Sequence, residues 1–204
     1  VCAASIEGRG LADGHLGVGK AAAAMRAMEL LGRSRPQWVL LIGVCGAYPP
    51  GRGGPALAVG DLCLVEEDRL ADEGVGLAGG EFRGISEMGL GEEGPFRADP
   101  ARTEAIAALL TIPMVTGATV STCSGSDAAA RALAARSGAQ VETMEGAAVL
   151  LVCRHLEVPA VQLRCVSNRC GERTTASWDL DGAVARLHAA VRTLAGAYGW
   201  KGVG

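Results

Sequence analysis

Three polar side chains stand where an otherwise apolar chain has little structural use for them. Glu145 opens the run Met144-Glu145-Gly146-Ala147-Ala148-Val149-Leu150 and joins a helix face made of Ala, Val and Leu. A carboxylate in a first helical turn gains from the dipole. One that is partly buried also needs a partner, and the hydroxyls of a ligand would serve. Asn168 closes the apolar run 160–166, where its amide either caps a turn or offers a donor and an acceptor to a ring edge. Glu7 follows the apolar start Val1–Ala4 and is the obvious candidate base, although a surface glutamate fits the same position. Two glycine loops complete the set. Gly43-Val44-Cys45-Gly46-Ala47 lets the backbone close on a flat or anionic group. Gly14–Lys20 has the bare GxxxxGK spacing, but Ala21 replaces the Ser or Thr that would hold Mg²⁺. What remains of that motif is a glycine-rich helix entry whose free amides suit an anion.

The composition narrows the partners. Lys plus Arg number 19 against 22 Asp plus Glu, with lysine only at Lys20 and Lys201, so no basic field invites a nucleic acid or an anionic membrane. Aromatics at 3% leave too few rings for a base-stacking single-strand binder. No apolar span reaches the roughly 18 residues of a membrane helix. Seven cysteines, an odd number without a CxxC, lie mostly inside apolar runs, and His15, His155 and His188 share no ligand spacing. Reduced, buried thiols in a cytoplasmic protein, with no metal site, are the expectation.

The elements that must position these residues alternate along the chain. Helix is expected over 20–31 with Gly32 as its stop, from Asp99 or Pro100 to 110, over 127–137 behind the N-cap Ser126, over 144–158 ended by Pro159, and over 181–198. Strands are expected at the chain start, over the run 38–48, at 62–66, 115–122, near Val141, and at 160–168, while 76–100 reads as loop. This is an α/β fold: a single domain with a mixed, mainly parallel central sheet flanked by helices. Ligands of such sheets bind at the carboxyl ends of the strands, here 43–47, 66–74, 119–124 and 167–171.

The motifs, taken in order, resemble the purine nucleoside phosphorylase and nucleosidase superfamily. Gly17-Val18-Gly19-Lys20 resembles its GxGK segment. Residues 42–48 with 59–67 resemble its GxxG…xGD core, 142–153 its Met-Glu-x-x-Ala helix, and 161–173 its strand end with Ser followed by Asp or Asn. Asn168 in place of the usual Asp, and the stretch that follows it, resemble the futalosine hydrolases of menaquinone biosynthesis. The spacing of only ten positions between Glu7 and Gly17 is short for this family. It implies chain absent near 8–15 and near 78–81, within one domain over 1–204.

The resemblance implies a nucleoside phosphorylase-like fold, a homo-oligomer, a small nucleoside substrate, and no metal or cofactor. It implies that Glu7 activates water, Glu145 accepts from ribose hydroxyls, and Met144 lies against the sugar. Asn168 with Ser167 would bind the base edge, Thr119, Val120 and Thr122 would line the base slot, and Val44, Cys45 and Gly46 would approach sugar and water. Arg164 is expected as a structural clamp. A phosphorylase, a methylthioadenosine or adenosylhomocysteine nucleosidase, and a non-catalytic nucleoside-binding protein are the other readings of the same pocket.

Overall fold

The computed structural model describes residues 1–8, 14–50, 55–172 and 178–200. Apolar, β-branched runs form the long strands β1 (Val39–Ala47), β2 (Leu62–Leu70) and β8 (Ala160–Arg169), with the shorter β6 (Met114–Thr119) and β7 (Val141–Thr143). β3 (Gly74–Gly76) and β4 (Phe82–Gly84) make a separate hairpin, and β5 (Phe96–Arg97) edges the main sheet. β4 and β5 lie in the stretch 76–100 expected to be loop, and β3 ends where it begins. Glycine-rich and charged, that stretch lacks the apolar alternation that marks a packed strand.

The sheet runs β5-β2-β6-β7-β1-β8, and β2 also pairs antiparallel with β8, so five strands close into a ring. β1–β8, β2–β6 and β6–β7 are parallel, whereas β1–β7 is antiparallel. Cys45, Cys63, Val65, Val115, Val141 and Val166, drawn from all five ring strands, pack into one cluster. Alternate residues such as Ile42, Leu64 and Leu163 pack instead against α2 (Pro100–Leu110) and α5 (Leu180–Tyr198). On another side α1 (Lys20–Ser34) and α4 (Gly146–His155) share a core through Ala23, Ala27, Leu31 and Ala147–Leu150. α3 (Asp127–Ser137) covers Tyr48, Ala118 and Val120.

Local chemistry sets the helix ends. Asp99 accepts from the Arg102 amide at 2.8 Å and Ser126 from that of Ala129 at 3.2 Å. α1 does not stop at Gly32; it continues to Ser34 and ends where Arg35 turns left-handed at φ 44°. The chain start joins the sheet as expected. Cys2 bridges Ile42 and His15 in parallel, and the Ile42 amide donates to the Val1 carbonyl at 2.9 Å. Of the stretches where missing chain was expected, residues 9–13 lie outside the described residues, and Ala78–Gly80 forms the 3₁₀ turn between β3 and β4.

Candidate active site

At the carboxyl ends of β1 and β8, next to the start of α4 and the segment 3–7, lies a cleft of about 240 Å³. It is bordered by Glu7, Val44, Cys45, Gly46, Met144, Glu145, Ser167 and Asn168, eight of the residues singled out above. The β1–β8 register slips between Cys45 and Gly46, so that Cys45 faces Val166 while Gly46 faces Asn168. Such a bulge re-aims side chains. It leaves the Ser167 hydroxyl donating at 2.9 Å to Asn168 Oδ1, while Asn168 Nδ2 donates to the Arg169 carbonyl at 3.1 Å.

At one end of the cleft two buried carboxylates are held by backbone amides. Glu7 is 5% exposed, so the surface reading fails. Its Oε2 accepts from the Ala4 amide at 2.8 Å and its Oε1 from the Val44 amide at 3.0 Å. Its carbonyl meets His188 Nε2 at 2.8 Å. Glu145 stands at the N-cap position of α4 without capping its own helix. Its Oε1 accepts instead from the Gly19 amide at 2.9 Å, at the entry of α1, where Gly19 has φ 92°. The anion at the glycine-rich helix entry is therefore a carboxylate of the chain itself. Burial pushes the Glu145 carboxyl above its ordinary range; the charge of Arg164 and the Gly19 amide pull it down, and Glu7 pushes it up again.

Arg164 is fully buried beneath these acids. Its Nε and Nη2 donate to Gln162 Oε1 at 3.1 and 2.7 Å, and its Nη1 to the Val44 carbonyl at 3.4 Å. A Cβ on Gly43 would strike Arg164 Nη1 and come within 3.1 Å of Glu7 Oε1. The glycine thus lets guanidinium and carboxylate share one corner. Arg164 is a clamp, as expected, and its charge reaches the cleft without its side chain bordering it.

At the other end two residues of the expected segment 119–124, Cys123 and Ser124, meet Glu142 and Thr143, which the sequence did not single out. Glu142, Ser124, Cys123 and Thr143 border the cleft there, and Ile6, Val18, Arg169, Trp178 and Leu180 line its walls. Glu142 is 6% exposed and accepts from Tyr48 Oη at 2.8 Å and Ser124 Oγ at 2.6 Å. Three expected slot residues lie elsewhere. Thr119 is fully buried, because its hydroxyl bonds Asp68 and Thr143 and accepts the Ala147 amide at 2.8 Å, tying down the start of α4. Val120 is buried under α3, and Thr122 is exposed away from the cleft. Segment 66–74 does not border the cleft either. From it Asp72 and Glu73 hold Lys20 Nζ at 2.6 and 3.1 Å, so the lysine of the GxGK segment is a clamp.

Among the described residues no group of His, Cys, Asp and Glu could hold a metal, and no helix is long and apolar enough to cross a membrane. Six of the seven cysteines, all but Cys123, are buried free thiols. Burial raises the Cys2 and Cys153 thiols to about 11 and Cys165 to about 12, keeping them protonated.

Residues 7–197 match the phosphorylase superfamily. Over 194 residues the chain is 38% identical to futalosine hydrolase of Thermus thermophilus, spanning 93% of this chain and 83% of that protein. The chain belongs to the phosphorylase superfamily. Futalosine hydrolase of Acidothermus cellulolyticus is 32% identical over 188 residues, 89% of this chain and 74% of that one. Among solved structures, native futalosine hydrolase of Helicobacter pylori superposes with a TM-score of 0.75 at 19% identity, over 90% of this chain and 78% of that one. A methylthioadenosine/adenosylhomocysteine nucleosidase from Colwellia psychrerythraea, in complex with adenine, gives 0.74 at 20%, over 89% and 76%. At such identities the superpositions establish the superfamily fold: a mixed sheet flanked by helices, here closed through β2 and β8.

Proposed function

We propose that the chain is an N-glycosyl hydrolase that cleaves the N-ribosidic bond of futalosine, releasing hypoxanthine and dehypoxanthine futalosine. The observation that carries this reading is the convergence of Glu7, Met144, Glu145 and Asn168, from three separate segments, on one cleft. The 38% identity to the Thermus futalosine hydrolase supports the substrate.

Cleavage of such a bond builds positive charge on the sugar, so catalysis needs anions and polarised water around the ring. Each Glu7 oxygen spends one lone pair on an amide and keeps another for water, whose proton it takes as the water attacks C1′. Glu145 Oε2 is left for the ribose hydroxyls while Oε1 stays on Gly19. Its raised pKa means that the fold disfavours its charge, and the developing cation favours it. The N9–C1′ bond breaks with its electron pair going to the base. Asn168 has no proton to give; its second Nδ2 hydrogen donates to N7 or O6, and the base takes its proton from solvent. Gly46 keeps this approach open, since a Cβ there would lie 2.6 Å from Cys170 Sγ and 3.2 Å from Asn168 Nδ2.

Turnover of futalosine and of methylthioadenosine, compared in phosphate-free buffer without added metal, tests the reading. Futalosine should be cleaved at least 10²-fold more efficiently; equal rates, or preference for methylthioadenosine, would refute it. We propose further that the protein works as a homo-oligomer in the cytoplasm, which size-exclusion light scattering and cell fractionation would check.

A further inference from the structure

Glu142 is a buried carboxylate on the cleft that the hydrolysis scheme leaves without a task. Its Oε2 accepts from Tyr48 Oη, Ser124 Oγ and the Ser124 amide, at 2.8, 2.6 and 3.1 Å. Its Oε1 holds only that same amide, at 3.0 Å, and the Cys170 thiol, a weak donor, lies against the group. A carboxylate offers about four acceptor sites, so one good site remains on a residue that borders the cleft. Burial, then the charge of Glu142, push the Tyr48 phenol far up, so Tyr48 stays a donor and keeps the carboxylate in place.

The register puts Glu142 opposite Asn168. Gly46 pairs with Glu142 of β7 on one side and with Asn168 of β8 on the other. Cross-strand partners face the same side of a sheet, and between these two stands a residue with no side chain. Their separation is two strand spacings, roughly 10 Å, which a purine edge fills with a hydrogen bond of about 2.9 Å at each end. A 6-oxopurine presents N7 and O6 as acceptors and N1–H as a donor along that edge. A 6-aminopurine presents an N1 lone pair instead.

We infer that Glu142 is a specificity-determining residue, whose Oε1 accepts the N1–H of a 6-oxopurine while Asn168 donates at N7 or O6. The assignment rests on the nucleosidase reading for its substrate and accounts for Asn168 as well. A carboxylate at position 168 would put a second acid in the same cleft, across the base from Glu142, and an amide avoids the added repulsion. A site built around a charged hydrogen bond discriminates strongly against the analogue that leaves it unmade.

Two measurements test this. The first compares kcat/KM for futalosine and its 6-amino counterpart in the wild type, Glu142→Gln and Tyr48→Phe. Glu142→Gln should shift the ratio toward the 6-amino substrate by about 10–100-fold. Tyr48→Phe, which keeps the carboxylate, should retain the wild-type ratio even at reduced stability. A folded Glu142→Gln with an unchanged ratio, or one shifted toward the 6-oxo substrate, overturns the assignment. The second needs no variant: calorimetric binding of hypoxanthine and 1-methylhypoxanthine to the wild type. Loss of N1–H should weaken binding at least 10-fold, and equal affinities overturn the role of Glu142 whether or not any nucleoside is cleaved. Intact base preference without cleavage sinks the hydrolase reading alone.

Discussion

Two acid-containing regions lie one above the other in this fold and behave differently. On the cleft wall, Glu7, Glu142 and Glu145 are each 5–6% exposed and each border the opening. Beneath them, Asp68 is 1% exposed and enclosed: Thr119 Oγ1 donates at 3.0 Å, Gln162 Nε2 at 3.0 Å, and Thr143 Oγ1 lies at 3.5 Å. Gln162 in turn holds Arg164, so the lower region is a closed polar network. The difference lies in unused acceptor capacity at an opening. Burial alone does not mark a working acid, since burial pushes Asp68 up to about 6 although it does not border this cleft.

If the cleft wall does the chemistry, the largest effect belongs to Glu7→Gln. It should lower kcat/KM by roughly 10³-fold, about 4 kcal/mol, in a folded protein. Glu145→Gln follows at roughly 10²-fold, about 2.7 kcal/mol. Near-normal kinetics in either variant would erase the distinction between the two regions. The acid limb of kcat/KM should also rise above the ordinary glutamate range, because the Glu145 carboxyl is shifted upward and must be ionised to act.

Gly146→Ala probes the seam between the regions. Its Cβ would strike Asp68 Oδ2 and Gln162 Oε1, directly under the residue that follows Glu145. Overpacking of this kind costs about 2 kcal/mol, read as a lowered denaturant midpoint, with kcat/KM falling roughly 10-fold as the start of α4 shifts. A variant with wild-type stability would show that the closed network is not tightly packed.

The smallest effect on activity should come from Asp68→Asn, within about threefold at pH 7, since an amide can donate to Thr119 and accept from Gln162. Its signature is in stability against pH. The folded carboxyl titrates at about 6, above its ordinary 3.8. The proton-linked stability is therefore full below the ordinary value and is lost as pH rises through 6. Between pH 4 and 7 the wild type should lose on the order of 3 kcal/mol relative to the variant. Parallel pH profiles for the two proteins would contradict the burial of a titrating acid there.

The same contrast explains what the sequence disclosed. Glu7, Glu145 and Asn168 could be named as candidates because each sets an acid or amide at the edge of an apolar run. Glu142 sits inside a short buried strand, and its partners Tyr48 and Ser124 are 94 and 18 residues away. Only the fold brings them together. Thr119, Val120 and Thr122 lie off the cleft because β6 ends at Thr119, three residues before the expected 122, and the chain reaches the cleft only at Cys123 and Ser124. The start of β2 was expected at 62–66, although the strand runs on to Leu70, but its antiparallel partner β8 lies about a hundred positions on, so closure of the sheet carried no local signal. Gly32 misled as a stop because a helix tolerates glycine at modest cost.

The most direct test of the central claim is the identity of the sugar product when purified protein acts on futalosine with and without phosphate. The account predicts hypoxanthine and free dehypoxanthine futalosine in equal amounts, at the same rate in both buffers, because water held by Glu7 is the nucleophile. A reaction that stops without phosphate and yields a sugar 1-phosphate when phosphate is supplied would contradict it.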